Sequence, residues 1–167
     1  MPLMDATSTG AKLIIVCGLP GSGKTTHAKQ LAGSLPAIRL CPDEWMAALF
    51  IDLYDAQLRD KIEALQWKFA QELLVLGLTV IIEWGTWARS ERDTLRLGAR
   101  ALGAAVELHY LPASVDVLFE RIQRRDAENP PIKREQLLEW MDIFQAPTAE
   151  ELALFDVPTR PSAYQNP

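Results

Sequence analysis

Two rhythms of apolar residues run through the chain. Continuous apolar or β-branched runs occur at Lys12-Leu13-Ile14-Ile15-Val16-Cys17, at Ala37-Ile38-Arg39-Leu40, at Leu78-Thr79-Val80-Ile81-Ile82 and, with partial alternation, from Val106 to Leu111. Short runs of this kind predict strands covered on both faces, as in a parallel sheet. Elsewhere the spacing is helical. Leu58, Ile62, Leu65, Phe69, Leu73 and Leu76 recur at steps of 4, 3, 4, 4 and 3, which predicts one long helix over 55–76 with a single core face, stopped by Gly77. Further helices are predicted over 25–35, closed by Gly33 and Pro36, and from Ser90 to Gly103, where Asp93 nearly completes a capping box. Another starts near Ser114, buries Val115, Leu118, Phe119 and Ile122, and ends at the turn Asn129-Pro130-Pro131. The last covers about 133–144 with Leu137, Leu138, Met141 and Phe144.

Strands alternating with helices predict an α/β fold with right-handed crossovers, and such sheets bind ligands at the carboxyl ends of their strands. The unusual polar segments lie at those ends: Gly18 to Thr26, Cys41 to Trp45 and Glu83 to Arg92. The first contains Gly18-Leu19-Pro20-Gly21-Ser22-Gly23-Lys24-Thr25, a full match to the P-loop pattern. Its glycines allow successive N–H groups to turn inward around a polyphosphate, and the following helix adds the positive end of its dipole. Lys24 is then expected on the β- and γ-phosphates, the Thr25 hydroxyl on Mg²⁺, and Gly18 to Thr26 as a whole around ATP. No Asn-Lys-x-Asp string for guanine is present, and the third apolar run ends Ile81-Ile82-Glu83-Trp84 without the Asp-Glu pair of the large ATPases. A small kinase remains.

The chain of 167 residues suits one domain, and 49% hydrophobic with 23% charged residues excludes disordered and fibrous classes. A net charge of −5 argues against a broad nucleic-acid face. The apolar stretches at 73–82 and 99–111 are too short and too interrupted to cross a bilayer. Met1 to Ala11 has no signal-peptide pattern, and Cys17 and Cys41 cannot build a disulfide framework, so a cytoplasmic setting is expected. Cys17, inside an apolar run, is expected to be a buried hydrophobe. The histidines, His27 and His109, have no evident metal-binding partners.

Four segments together make the chain resemble the P-loop kinases related to chloramphenicol phosphotransferases, zeta toxins and the kinase domain of phage polynucleotide kinase. They are Gly-Leu-Pro-Gly-Ser-Gly-Lys-Thr-Thr at 18–26, Leu40-Cys41-Pro42-Asp43-Glu44-Trp45, Glu83-Trp84-Gly85-Thr86-Trp87, and Arg121-Ile122-Gln123-Arg124-Arg125-Asp126. The resemblance implies a three-layer P-loop NTPase fold with a mostly parallel sheet of four to five strands flanked by helices. It implies a kinase domain over 12–155, with a lid at about 118–134, between a loose leader (1–11) and a Pro-rich tail (156–167). It also implies transfer of the ATP γ-phosphate to a hydroxyl, with Asp43 as the base and Arg121 and Arg125 on the developing charge. Asp43 also reads as a helix N-cap, Glu44 is the alternative base, Arg124 can replace either arginine, and a solvated helix face is the alternative for Arg121 and Arg125.

Glu83 matches the position of a Walker B carboxylate, either holding Mg²⁺ through water or capping backbone N–H groups. Trp45, Trp84 and Trp87 fall at strand ends, where they either wall an acceptor pocket or pack ordinarily. Arg92 is expected at the acceptor or a phosphate. Met46 stands where relatives resembling polynucleotide kinase carry an arginine, which favours a small uncharged hydroxyl compound as acceptor. The alternatives are a polynucleotide 5′-hydroxyl, for which Arg89, Arg92, Arg96 and Arg100 at helical spacing could line a channel, and a regulatory module that binds ATP without transfer. Oligomeric state has no signal in the sequence.

Overall fold

The computed structural model describes residues 10–126 and 130–160. Most of the leader, Asn129 of the expected turn, part of the expected lid segment and the end of the tail lie outside the described residues. The elements run β1 (Lys12–Cys17), α1 (Lys24–Ser34), β2 (Ala37–Leu40), α2 (Pro42–Ala48), α3 (Ala56–Val75), β3 (Thr79–Ile82), α4 (Arg89–Ala101), β4 (Ala105–Tyr110), α5 (Val115–Arg125), α6 (Arg134–Ile143) and α7 (Ala149–Leu152). The four strands form one parallel sheet in the order β2-β3-β1-β4. This is the three-layer α/β fold of the P-loop NTPases. Among the described residues there is no fifth strand. Asp156 of the tail makes a single parallel bridge to Glu107, its carboxylate accepting from the Val106 N–H at 2.8 Å.

The strands lack alternation because both faces are covered. On one face Leu13, Ile15, Val80 and Ile82 pack against Ala70, Leu73 and Leu74 of α3 and against Leu95 and Ala99 of α4; on the other Ile14, Val16 and Ile81 pack against Ala28 and Leu31 of α1. A third cluster joins Leu19 of the P-loop to Leu118 and Ile122 of α5 and Leu137 of α6. Among the described residues no helix is long and apolar enough to cross a membrane.

α3 presents a rotated face. Ile62, Gln66, Ala70, Leu73 and Leu74 are buried, whereas Leu65, Phe69 and Leu76 of the expected stripe are exposed. Gln66 reaches the interior because its side-chain carbonyl accepts the Trp84 indole N–H at 2.9 Å, so a polar residue occupies what hydrophobicity alone assigns to a leucine. α6 behaves likewise: Leu137 is buried, Leu138 and Met141 are not. α4 begins one residue earlier than expected, with Glu91 in place of Asp93 accepting the Ala88 N–H at 2.8 Å.

β4 carries a buried polar chain that ties the tail to the sheet. Glu107 is paired to Lys12 at 2.6 Å and accepts from the Thr159 N–H and hydroxyl, both at 2.8 Å. His109 lies 2.9 Å from Glu107 and 2.8 Å from His27 of α1. Burial opposes ionisation of Glu107, but the bonds from Lys12, His109 and Thr159 outweigh it and hold its carboxyl down at about 2. Its value in the unfolded chain is higher, so the ionised pair stabilises the fold above the unfolded pKa and that stabilisation is lost as pH falls toward 2. Thermal melts of wild type and Glu107→Gln are expected to differ widely at pH 7 and to converge toward pH 3; a gap independent of pH would show that the charge on Glu107 is not what stabilises the fold.

Candidate active site

The chain leaves β1 through the P-loop into α1. Gly21 sits at φ 82°, and a Cβ there would come within 2.9 Å of the Leu118 carbonyl, so only glycine lets the loop pass under α5. Gly23, at φ 94°, caps α1 and aims the first N–H groups of the helix into the loop. Lys24 folds over this cradle, its Nζ donating to the Leu19 carbonyl at 3.1 Å. Burial pushes the Lys24 ammonium down to about 8, partly offset by Cys17, Asp43 and Glu83. A cation short of solvent at a helix N-terminus is a site prepared for an anion.

β3 lies between β1 and β2, so the ends of all three strands converge. The Thr25 hydroxyl donates to Glu83 Oε1 at 3.1 Å, and Arg39 of β2 lies 3.1 Å from the same oxygen. Glu83 Oε2 is buried without a hydrogen-bond partner. Burial and the neighbouring Glu83 carboxylate push the Cys41 thiol up to about 12. A hydroxyl beside a half-satisfied buried carboxylate suits Mg²⁺, which keeps most of its waters and needs few protein ligands. Among the described residues no group of three or more His, Cys, Asp or Glu forms an all-protein metal cage.

Asp43 is the second residue of α2, whose N-cap is Cys41, so the capping role is not the one it plays. Its exposed carboxylate is paired at 2.7 Å with Arg59 of α3, which also donates to the Leu53 carbonyl at 3.0 Å. Glu44 points instead to Arg39 and Lys29. Asp43 lines two cavities. One of about 250 Å³ is bounded by Lys24, Thr25, Thr26, Asp43, Glu83 and Arg125. The other, of about 480 Å³, shares Pro20, Lys24, Asp43 and Glu83 with it and extends to Trp84, Thr86, Trp87 and Trp140. Arg121 donates over the P-loop to the Ser22 carbonyl at 3.3 Å and the Gly21 carbonyl at 3.4 Å, and Arg124 is paired with Glu120 at 2.6 Å.

A model of the AAA domain family matches residues 13–147. The chain belongs to this family. Its structural neighbours are P-loop kinase-like. A gluconokinase from Sinorhizobium meliloti 1021 superposes with a TM-score of 0.58 at 19% identity, over 86% of this chain and 79% of that one. Kti12 from Chaetomium thermophilum, solved in complex with ADP-AlF3, gives 0.63 at 22%, over 83% and 82%. A chain of the Pnkp1/Rnl/Hen1 RNA repair complex gives 0.70 at 22%, over 99% of this chain but 52% of that one. Comparison with curated proteins gives no significant match.

Two expected residues of this AAA domain lie away from the cavities. Trp45 is partly buried against the core and does not line the larger cavity, unlike Trp84 and Trp87. Arg92 is fully buried. It forms a two-pronged ion pair with Glu151 of α7, at 2.6 and 2.9 Å, and donates to the carbonyls of Thr86 at 2.8 Å, Trp87 at 3.4 Å and Gln145 at 2.7 Å. Its donors are thus spent on the β3–α4 loop, where the β-branched Thr86 is held at φ 43°. Met46 is likewise in the core, with none of its side chain on the cavity. Sequence reasoning missed Arg59, Glu63, Glu91 and Trp140 on the cavity wall; the i,i+4 pair Arg59–Glu63 on the polar side of α3 was the one available signal.

Removing one member of a buried ion pair strands the other charge, at a cost of about 3–5 kcal/mol. Arg92→Met is expected to lower the unfolding free energy from denaturant titration by that order, and Arg92→Met with Glu151→Leu to recover much of it. An Arg92→Met protein of normal stability but lost turnover would return Arg92 to the acceptor.

Proposed function

We propose that this AAA domain is an ATP- and Mg²⁺-dependent kinase that transfers the γ-phosphate to a hydroxyl of a small-molecule acceptor. The observation that carries the proposal is the sharing of Lys24, Asp43 and Glu83 between the cradle cavity and the tryptophan-walled one. The phosphate chain lies along Gly18, Leu19, Pro20, Gly21, Ser22, Gly23 and Thr26, with Lys24 on its β- and γ-oxygens. The nucleoside continues toward His27, Gln30 and Leu111, which line an adjoining cavity of about 500 Å³ with Arg121 and Arg124. Thr25 and Glu83 would hold Mg²⁺, which would draw charge from the transferring phosphoryl group.

The acceptor hydroxyl sits against Asp43. Its proton passes to an Asp43 carboxylate oxygen as the new oxygen–phosphorus bond forms and the bond from the γ-phosphorus to the β–γ bridging oxygen breaks, releasing ADP. Arg59 orients Asp43, Trp84 and Trp87 flank the acceptor, and Lys24, Arg121 and Arg125 meet the charge on the equatorial oxygens. A polynucleotide acceptor is less favoured because the arginines of α4 are paired within the fold, Arg89 and Arg96 sharing Asp93, Arg92 with Glu151 and Arg100 with Asp156, which leaves one net positive charge among them.

Lys24→Ala is expected to abolish transfer with the fold intact. Asp43→Asn is expected to lower transfer on the order of 10²-fold or more while ATP affinity changes little. Both are checked by phosphate transfer to acceptor under single-turnover conditions, beside calorimetric ATP binding. Unchanged transfer in Asp43→Asn would remove Asp43 as the base, and ATP binding by the wild type with no transfer to any acceptor would favour a nucleotide-binding regulatory module.

A further inference from the structure

The acceptor cavity is more acidic than phosphoryl transfer requires. Five carboxylates line it, on Asp43, Asp60, Glu63, Glu83 and Glu91, against the cations of Lys24 and Arg59. Lys24 belongs to the cradle, Arg59 is held by Asp43 and the Leu53 carbonyl, and Glu83 is engaged by Thr25 and Arg39. Among the described residues Asp60 and Glu63 have no such partner, and Glu91 gives Oε2 to the Ala88 N–H at 2.8 Å and keeps its other oxygen for an acceptor. Glu63 is half-buried on α3, and among the described residues no protein donor reaches its carboxylate. Burial pushes its carboxyl up to about 7; Arg59 opposes the rise, and Asp60, Glu91 and Asp43 add to it.

The rest of the wall is aromatic. Trp84, Trp87 and Trp140 border the same space, with Trp87 and Trp140 tilted at 59° and their centroids 5.9 Å apart. In this wall the Thr86 hydroxyl is buried, on a residue only 6% exposed, with no hydrogen-bond partner. Carboxylates and indoles lining one cavity, with Thr86 and its unpartnered hydroxyl in the same wall, complement an ammonium group that also carries hydroxyls. An acceptor bearing a carboxylate or phosphate would add its charge to Asp60, Glu63, Glu91 and the bound triphosphate.

We infer that the acceptor is an amine-bearing hydroxyl compound, an amino sugar or amino alcohol, whose ammonium group sits between the Asp60, Glu63 and Glu91 carboxylates and the indoles of Trp84, Trp87 and Trp140. The hydroxyl half of this statement rests on the kinase function proposed above; the ammonium half rests on the cavity wall alone. The ammonium takes no part in transfer and stays protonated, while the hydroxyl proton goes to Asp43. Glu63 carries its charge only above about 7, so ammonium affinity rises between pH 6 and pH 8, with Arg59, Asp60, Glu91 and Asp43 as the charges that face it.

The test uses the full chain and probes that share a six-carbon skeleton: glucosamine, glucose and gluconate, with kanamycin as a larger polyamine. Binding is followed by tryptophan fluorescence without nucleotide, and transfer from ATP by phosphorus NMR. The ammonium compounds are expected to bind about tenfold or more tighter than glucose and gluconate. Glu63→Gln combined with Glu91→Gln is expected to bring that ratio toward one, with circular dichroism confirming the fold. Equal affinity across the charge classes, tighter binding of gluconate, or no binding of either ammonium compound at millimolar concentration overturns the inference. Phosphorylation of glucose or gluconate without ammonium preference would leave the kinase function standing and this inference fallen. Ammonium-selective binding with no transfer to any probe would support the ammonium site and remove the kinase function.

Discussion

The insertion of β3 between β1 and β2 is the constraint on which the rest of the site depends. Because the three strands are parallel neighbours, the P-loop, the Asp43 segment and Glu83 leave the sheet at the same edge, within reach of one another. The Glu83 N–H donates to the Leu40 carbonyl at 3.4 Å and its carboxylate receives the Thr25 hydroxyl, so one residue ties the ends of β2 and β3 to the start of α1. Burial of the sheet on both faces fixes that edge, and the low dielectric behind it is what pushes the Lys24 ammonium down.

The tryptophan-walled side of the site is held by a second, independent device. The β3–α4 loop carries Trp84, Thr86 and Trp87, and its shape is set by Arg92 from beneath and by Gln145, which donates its N–H to the Trp87 carbonyl at 2.9 Å and accepts the Arg89 N–H at 2.8 Å. Arg92 is in turn neutralised by Glu151. The chain after α6 is therefore part of the site's support, and Asp156 and Thr159 extend that support to β4. A strained residue such as Thr86, costing about 1–3 kcal/mol, persists only where surrounding bonds over-determine it.

The strands and the cradle were legible in the sequence because each depends on neighbours in the chain. Unbroken apolar runs report burial on two faces, and the spacing of Gly18, Gly23, Lys24 and Thr25 reports a backbone conformation. Arg92 was not legible, since its partner Glu151 lies 59 residues away and a lone arginine after a strand looks the same whether it faces solvent, substrate or core. Gln66 illustrates the same limit: its burial depends on the Trp84 indole, 18 residues distant. Glu63, Glu91 and Trp140 sit on polar or mixed faces of three separate helices, α3, α4 and α6, which only the tertiary fold brings to one cavity. Trp45 shares its position after a strand with Trp84, yet packs beside the core because α2 turns it inward.

The most direct test of this account is a crystal structure of the protein with Mg²⁺ and a non-hydrolysable ATP analogue. The γ-phosphate is expected where the two cavities meet, against Lys24, with the metal on the Thr25 hydroxyl, Glu83 joined to it through water, and Asp43 facing the γ-phosphorus from the tryptophan side. A triphosphate lying outside the cradle, or a γ-phosphate turned away from the cavity that Asp43 lines, would contradict it.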